Sequence, residues 1–305
     1  MPEPLTTSTQ PPLFSVVIPT FNRADKLRRA LASLVDQSFT DFEVLVCDDG
    51  SSDGSDAVAA EFAGKLRLTY LWAENWGGPA RPRNMGAAAA VGQWVCFLDA
   101  DDWWYPNKLA TASERLGQAD LIYHDCDIHS ERGVRRIGKH SRQLGSPVFL
   151  DLMTKGCSLV TSSVCVRRTL LAATGGFAEE RGLIAVEDYD LWLRISQLTE
   201  KFLHLPQVLG AYWVDEANIS QFSEKYIERE HALVRRHEGY LCPTDRQEVQ
   251  CLLAYKTGIA KKYLGAFSES RPYFRKAFRS RRLKIKLYAV IYYLLAICHS
   301  RFTIP

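Results

Sequence analysis

The chain has 305 residues, which is enough for one large domain or two modest ones. Its 47% hydrophobic and 24% charged residues are usual for a globular protein and exclude disordered and collagen-like classes. Residues 271–305 hold nine Lys and Arg and no Asp or Glu, whereas the first 270 residues hold 29 basic and 35 acidic residues. The net negative charge of residues 1–270 argues against nucleic acid as a partner, whereas the basic segment 271–305 could contact an anionic surface.

The cysteines and the two ends of the chain indicate a cytoplasmic protein. The eight cysteines form no Cys-x-x-Cys pair and most lie in apolar runs, so we expect them to be reduced. The polar, proline-rich residues 1–12 lack the basic and apolar stretches of a secretory signal. The longest apolar run, residues 287–298, is shorter than the about 20 residues that a membrane span needs.

The first hundred residues alternate short apolar runs with helical patterns. We predict a strand that Pro19 ends and three further strands, over residues 15–18, 43–47, 66–72 and 94–98. Between the strands we predict one helix with Asp25 as its N-cap and two helices that begin near Ser55 and Asn84. This order is typical of a right-handed, parallel α/β sheet.

The pattern is weaker from residue 106 to residue 215. Here we predict strands over 121–123 and 158–167, a basic loop over 133–145 and a helix over 187–198. From about residue 221 onward the chain is expected to be helical, over 222–238, 244–264 and 271–298.

Two of the predicted strands end in aspartate clusters. Asp48 and Asp49 follow the second strand, and the fourth is followed by Asp99, Asp101 and Asp102. Because ligands bind beyond the carboxyl ends of parallel strands, we expect both clusters near one crevice. Such carboxylates can share Mg²⁺ or Mn²⁺ with substrate phosphates. The alternative is a solvated turn, since aspartate favours turns.

A third acidic group, Glu187, Asp188 and Asp190, opens the helix predicted over 187–198. Acidic residues in a first turn stabilise the helix dipole, and they can also supply a general base. The residues alone leave both interpretations open. No GxGxxG, GxxxxGK[ST] or GxSxG motif is present, which argues against a dinucleotide-binding domain, a P-loop NTPase and an esterase.

Taken in order, these stretches resemble family 2 glycosyltransferases of the GT-A fold, the type that builds bacterial polysaccharides and other glycans. The resemblance covers residues 14–215 and rests on the segments FSVVIPTFNRADKL, CDDGSSDGS, PARPRNMG, CFLDADDWWYPNKL, SSVCVRR, GGFAEE and VEDYDLWLRI. It implies an α/β GT-A domain with a central, mostly parallel sheet flanked by helices over 12–220. Residues 12–105 would be its nucleotide-binding half and 106–220 its acceptor half, followed by a C-terminal helical region over 221–305.

The resemblance also implies a reaction and a role for each matching residue. The expected reaction is inverting transfer of a hexosyl or N-acetylhexosaminyl group from a nucleoside diphosphate sugar, with UDP expected, to a hydroxyl of a glycan, polysaccharide or glycolipid. The implied nucleotide-sugar-binding residues are Pro19, Phe21, Asp48, Asp49, Arg83, Asn84 and Asp99. Asp101 and Asp102 would hold Mn²⁺ or Mg²⁺. Asp188 would be the catalytic base, with Glu187 and Trp192 on the acceptor side.

Three other functions stay open. A polyprenyl phosphate is an alternative acceptor, and an α/β nucleotidyltransferase and an inactive sugar-binding module are alternatives of other classes. Residues 19–23 lack the glycines that a nucleotidyltransferase needs, and an inactive module would be expected to lack Asp101 or Asp188. We expect a location at the inner face of the membrane, with peripheral contact to anionic lipid through residues 271–305. The alternative is that this segment packs on the rest of the protein.

Overall fold

A computed structural model of the chain describes residues 10–131, 133–139, 141–214 and 223–302. The chain divides into two compact units. The first unit comprises Met1–Gln143, Ser158–Phe177 and Lys201–Asp215, and the second comprises Leu144–Cys157, Ala178–Glu200 and Glu216–Pro305. The second unit therefore includes residues 144–157, 178–200 and 216–220 of the range 12–220, and the domain boundaries given above stay a prediction.

The first unit is built on a mixed sheet. Its described strands are β1 (Phe14–Thr20), β2 (Phe42–Asp48), β3 (Leu68–Trp72), β4 (Trp94–Phe97), β5 (Trp103–Trp104), β6 (Leu121–Ser130), β7 (Gly133–Lys139), β8 (Cys165–Arg167) and β9 (Phe202–Trp213). They lie in the order β3-β2-β1-β4-β8-β6-β9-β5, with β7 paired to β6. The strands β3, β2, β1 and β4 are parallel to one another, as the alternating pattern predicted, whereas β8 is antiparallel to both of its neighbours.

The described helices are α1 (Ala24–Val35), α2 (Ser55–Ala60), α3 (Ala80–Ala89), α4 (Lys108–Ser113), α5 (Val148–Lys155), α6 (Arg168–Thr174), α7 (Glu187–Ser196), α8 (Glu224–His237), α9 (Pro243–Tyr263), α10 (Phe267–Ala277) and α11 (Leu283–Phe302). Helices α1 to α4 and α6 belong to the first unit, and the others belong to the second.

The core of the first unit follows from the apolar runs. Strands β1, β2 and β4 are buried along their whole length, as expected of strands covered on both faces. Helix α1 adds Leu27, Leu31 and Leu34, spaced at helical intervals, to the same cluster as Val16 and Val44. This burial fixes the strand ends, and therefore the loops in which the aspartates lie.

Two predicted boundaries near the first strand are wrong. Pro19 does not end the strand, because β4 pairs with β1 only as far as Val17 and leaves Pro19 at an edge, where proline is tolerated. Helix α1 begins after Arg23 rather than at Asp25, because Asn22 turns the chain with a φ of 49°.

Beyond residue 130, three predictions are corrected and one strand was not predicted. The predicted loop over 133–145 contains β7, which forms a hairpin with β6. The predicted strand over 158–167 is reduced to β8, preceded by a 3₁₀ turn over Thr161–Ser163. Strand β9 was not predicted because Pro206 interrupts its pattern, and its register against β6 shifts beyond Leu205. The helix predicted over 271–298 is two helices, α10 and α11, separated near Ser280.

The second unit is helical. A small apolar cluster, formed by Leu252, Phe274, Ala277, Ile285 and Ala289, joins helices α9, α10 and α11. Helices α9 and α10 approach closely at Gly258, where an added Cβ would lie 2.7 Å from the ring of Phe274. None of the described helices has both the length and the hydropathy of a membrane span.

Candidate active site

Both aspartate clusters of the first unit begin at the same edge of the sheet. Strands β1, β2 and β4 are parallel neighbours, so their carboxyl ends lie together. The N–H of Asp49 donates to the carbonyl of Thr20 at 2.9 Å, which joins the loop after β2 to the end of β1. The N–H of Leu98 donates to the carbonyl of Val17 at 3.0 Å, and Asp99 follows directly. This edge of the sheet therefore collects the acidic residues.

Asp48 closes the turn after β2. Its carboxylate is buried and accepts hydrogen bonds from the N–H of Ser51 at 2.6 Å and from the Tyr70 hydroxyl. Burial and the nearby carboxylate raise the pKa of Tyr70, so its hydroxyl stays a donor. These contacts give Asp48 a structural role in the loop.

Asp49 joins this loop to the one after β3. One carboxylate oxygen accepts the N–H of Trp76 at 2.9 Å, and the other accepts the N–H of Gly77 at 3.0 Å. The Asn75 amide donates to the second oxygen at 3.2 Å. The carboxylate thus holds the loop over 75–77 against the end of β2.

Pro19 and Phe21 differ in exposure. Pro19 is buried within β1, whereas the Phe21 side chain, just beyond the strand, is 44% exposed. An exposed ring at this edge of the sheet offers a flat apolar face to a planar ligand.

Arg83 and Asn84, in the first turns of α3, hold neighbouring segments. The buried Arg83 guanidinium donates to Asp99 at 2.7 Å and lies 5.3 Å from the ring centre of Phe177. The Asn84 amide accepts the N–H of Phe177 at 2.7 Å and donates to its carbonyl at 2.9 Å. An added Cβ on Gly176 would lie 2.4 Å from the Asn84 oxygen, so a glycine is needed there. The Arg83 side chain therefore positions Asp99, and the Asn84 side chain positions the segment over 175–177.

The turn after β4 carries carboxylates in different surroundings. Asp101 is partly exposed and forms an ion pair with Arg23. Asp102 is fully buried, and its two oxygens accept the Ser162 hydroxyl at 2.5 Å and the N–H of Trp213 at 2.7 Å. The Ser162 hydroxyl also accepts the N–H of Asp99 at 3.0 Å. Asp102 therefore braces the turn from inside, while Asp101 lies on its outer side.

Burial and the neighbouring carboxylates of this turn raise the pKa of both Asp101 and Asp102. Burial raises the pKa of Asp101, although the charge of Arg23 opposes the shift. Burial and the charges of Asp101 and Asp99 raise the pKa of Asp102 well above its usual range. A cation bound here would stabilise the ionised carboxylates.

Sequence reasoning missed several residues that support the turn. Arg29 donates to the carbonyl of Asp101 at 2.6 Å, and its guanidinium carbon lies 4.0 Å from the ring centre of Trp103 and 4.8 Å from that of Trp213. Trp213 ends a strand that no local pattern predicted. Arg23, by contrast, could have been found from the sequence. It lies in the segment FSVVIPTFNRADKL, two residues after Phe21, where a basic residue suggests a contact with the acidic turn or with an anionic ligand.

The second unit contains Glu187, Asp188 and Trp192. Helix α7 begins at Glu187, after Ala185, whose φ of 69° lies in the left-handed region that alanine rarely adopts. Glu187 and Trp192 are buried, whereas Asp188 is partly exposed. One Asp188 oxygen accepts the N–H of Tyr189 at 2.6 Å. Of these two carboxylates, that of Asp188 is the more accessible to a substrate.

Asp190 anchors the same helix. Its buried carboxylate accepts hydrogen bonds from His237 at 2.9 Å and from Arg194 at 2.8 Å, and it lies 3.0 Å from the Arg236 side chain. Burial alone would raise the pKa of Asp190, but the His237 hydrogen bond and the two arginines outweigh it and lower the pKa. This network joins α7 to α8 beside Asp188.

Comparisons with known proteins agree with this architecture. Residues 15–166 match the profile of glycosyl transferase family 2. The amylovoran biosynthesis glycosyltransferase AmsB of Erwinia amylovora is 32% identical over 210 residues, which cover 65% of this chain and 69% of AmsB. The UDP-Glc:alpha-D-GlcNAc-diphosphoundecaprenol beta-1,3-glucosyltransferase WfgD of Escherichia coli is 27% identical over 221 residues, which cover 72% of this chain and 83% of WfgD.

Solved structures share the fold. S. aureus TarS 1-349 in complex with UDP superposes with a TM-score of 0.63 at 22% identity, covering 93% of this chain and 80% of that one. The mannosyltransferase PcManGT from Pyrobaculum calidifontis, in complex with GDP-Man and Mn²⁺, gives a TM-score of 0.60 at 19% identity, covering 97% of this chain and 84% of that one. The fold is therefore that of the GT-A glycosyltransferases. The chain belongs to glycosyl transferase family 2, and it is a glycosyltransferase.

Proposed function

We propose that the protein is an inverting glycosyltransferase, which moves a sugar from a nucleoside diphosphate sugar to the hydroxyl of a glycan or glycolipid acceptor. The observation that carries this proposal is the juxtaposition of the turn over 99–102 and the loop over 48–51 at one edge of the sheet. The first supplies carboxylates for a metal–diphosphate group, and the second adjoins the exposed Phe21 ring for a nucleobase.

The residues of the turn fit a divalent cation. Asp99 and Asp101 are partly exposed, whereas both oxygens of Asp102 are used inside the protein. No group of three or more His, Cys, Asp or Glu side chains among the described residues is arranged to hold a metal. Asp99 and Asp101 offer the one or two carboxylates through which Mg²⁺ or Mn²⁺ binds together with substrate phosphates. We therefore assign the cation to Asp101, with Asp99 beside it and Asp102 as the brace.

In this proposal the protein transfers a single proton, that of the acceptor hydroxyl, because the diphosphate leaves without protonation. The acceptor oxygen attacks C1 of the sugar from the face opposite the diphosphate, and Asp188 accepts its proton. Glu187 and Trp192, which the sequence resemblance assigned to the acceptor side, are buried in α7, so Asp188 is the residue that can reach the acceptor. Bound Mn²⁺ or Mg²⁺ would neutralise the negative charge of the departing diphosphate.

The donor is proposed to be a UDP-sugar. The name of WfgD specifies UDP-Glc, and TarS binds UDP. PcManGT binds GDP-Man on the same fold, so a guanine nucleotide is the alternative base.

The acceptor is proposed to be a glycan chain, free or linked to a lipid. AmsB is named for amylovoran biosynthesis, and WfgD acts on a diphosphoundecaprenol-linked sugar. Direct transfer to a polyprenyl phosphate is the alternative. The two differ in the product, because the first forms a new glycosidic bond between sugars and the second a sugar phosphate ester.

A donor screen tests the proposal. The purified protein is incubated with single nucleotide sugars and Mn²⁺, and released nucleoside diphosphate is measured with and without glycolipid extracts. We expect release from a UDP-sugar, stimulated by acceptor and abolished in the Asp101→Asn variant. Release of inorganic diphosphate from a nucleoside triphosphate and a sugar phosphate would indicate a nucleotidyltransferase. Absence of turnover with every donor would indicate a binding module.

Helix α11 supports the further proposal of peripheral contact with an anionic membrane from the cytoplasmic side. Its buried residues Ile285, Ala289 and Ala296 face α9 and α10. Another face carries exposed large apolar side chains, those of Leu283, Leu287, Val290, Ile291, Leu294 and Leu295. The nine basic residues of segment 271–305, without any acidic ones, give the charge that complements anionic headgroups. The helix therefore both packs on its own unit and keeps an apolar face for lipid.

A further inference from the structure

The turn over 99–102 has arginine neighbours that differ in how firmly they are held. Arg83, paired with Asp99, has a side chain that is only 5% exposed. Arg29 contacts the rings of Trp103 and Trp213 and donates to the carbonyl of Asp101. Arg23, paired with Asp101, has a side chain that is 27% exposed, on the solvent side of the turn. Of the two arginines paired with a carboxylate of this turn, Arg23 is the more exposed, so its departure would disrupt less packing than that of Arg83.

Hydrogen bonds hold the backbone on both sides of Arg23. The N–H of Asn22 donates to the Ser51 hydroxyl at 2.9 Å, and the Asn22 amide oxygen accepts the N–H of Ser52 at 2.9 Å. The N–H of Ala24 donates to Asp53 at 2.7 Å. The loop after β1 is thereby pinned to the loop after β2, so that Arg23 projects from a rigid base at the start of α1.

A divalent cation and the Arg23 guanidinium compete for the same Asp101 carboxylate. Both need its oxygens, and two positive charges on one carboxylate repel each other. A guanidinium displaced by the cation keeps several donors in a planar fork that matches phosphate oxygens. In the proposed reaction, the group brought to this turn together with the cation is a diphosphate.

We propose that Arg23 is an exchangeable counter-cation, which holds Asp101 in the empty site and transfers to the donor diphosphate when the metal binds. This inference rests on the proposed function. It makes Arg23 a diphosphate-binding residue, and it implies that metal binding without nucleotide is weakened by an internal competitor. The cation and the nucleotide would therefore bind cooperatively.

Binding measurements on Arg23→Gln test the exchange. Mn²⁺ alone is titrated calorimetrically, and UDP is then titrated at saturating Mn²⁺. We expect Mn²⁺ alone to bind about two- to fivefold more tightly, because a partly exposed ion pair is removed. UDP should bind about tenfold more weakly, because a charge-assisted contact to phosphate is lost. Arg23→Lys should restore part of the UDP affinity, since it keeps the charge but not the fork.

The matched control is Arg28→Gln. Arg28 lies in the first turns of α1, which Arg23 precedes, but it pairs with Glu61 rather than with a carboxylate of the turn, so both affinities should stay within twofold of wild type. Unchanged or weaker Mn²⁺ binding in Arg23→Gln would overturn the exchange, as would unchanged UDP binding. A wild-type chain that binds UDP but never Mn²⁺ would instead overturn the metal assignment of the proposed function, and the exchange with it.

Discussion

The membrane contact proposed for α11 can be tested with one substitution, Leu287→Glu. Leu287 is 56% exposed on the apolar face of the helix. Complete burial of a leucine side chain is worth about 1.5–3 kcal/mol, so inserting the exposed half into lipid contributes roughly 1 kcal/mol. The Leu287→Glu variant loses this insertion free energy, and repulsion between the new carboxylate and anionic headgroups weakens binding by about 1 kcal/mol more. The sum, about 2 kcal/mol, corresponds to a roughly thirtyfold weaker partition onto vesicles.

Cosedimentation with vesicles measures this difference. Wild-type protein should bind vesicles that contain anionic lipid at low salt, and should be released as salt shortens the Debye length below about 10 Å. The control is Leu198→Glu, which introduces the same charge at a leucine of similar exposure, 54%, outside α11. Because both sites are exposed, neither variant should change the free energy of unfolding by more than about 0.5 kcal/mol.

Two results would refute this reasoning. Wild-type protein that ignores anionic vesicles at low salt would show that the apolar face of α11 is not a lipid surface. Equal binding by the Leu287→Glu and Leu198→Glu variants would show that the basic residues act without insertion of α11.

Three further substitutions test the catalytic assignments. Asp101→Asn should abolish calorimetric Mn²⁺ binding while the unfolding free energy changes by less than about 1 kcal/mol, since its partner Arg23 is partly exposed; persistent Mn²⁺ binding would contradict the assignment. Asp188→Asn should lower turnover by about 10²–10⁴-fold while UDP affinity persists, and normal turnover would place the base elsewhere. Asp190→Asn should lower stability in urea by about 2–4 kcal/mol near neutral pH, because the buried Asp190 carboxylate pairs with Arg194 and Arg236 and accepts a hydrogen bond from His237. Because folding lowers the pKa of Asp190, its carboxylate stabilises the protein fully above its unfolded-state pKa of about 3.9, and this stabilisation is lost as pH falls through the folded-state pKa. The difference in unfolding free energy between wild type and Asp190→Asn should therefore shrink in acid. A difference that stays constant would contradict this account.

Local pattern predicted the parallel half of the sheet because each of its strands is a continuous apolar run. Strands β1, β2 and β4 are buried on both faces, and their sequences show it directly. The strand ends, and with them the positions of Asp48 and Asp99, followed from the same pattern. Strand β9 escaped prediction because its pairing with β6 is long-range and its register shifts beyond Leu205.

The carboxylates of the turn over 99–102 could be found from the sequence, but the different structural roles of Asp101 and Asp102 could not. Asp101 and Asp102 are adjacent and chemically identical, and both were predicted as metal ligands. Their difference comes from Ser162 and Trp213, which lie 60 and 111 residues away in sequence from Asp102 and occupy both of its oxygens. Only the folded chain brings these donors to the turn.

The acidic turn combines a rigid frame with one exchangeable partner, and this combination has a physical reason. Carboxylates gathered for a cation repel one another in its absence, so the empty site needs internal positive charge or buried donors. Buried donors to Asp102 and the buried Arg83 keep the turn over 99–102 in place. If such buried groups bound every carboxylate, no carboxylate would be left for a ligand. A partly exposed arginine on Asp101 neutralises the empty site and can still be displaced. The difference in exposure between Arg23 and Arg83 is therefore what the proposed exchange requires, since one arginine must stay in place and the other must move.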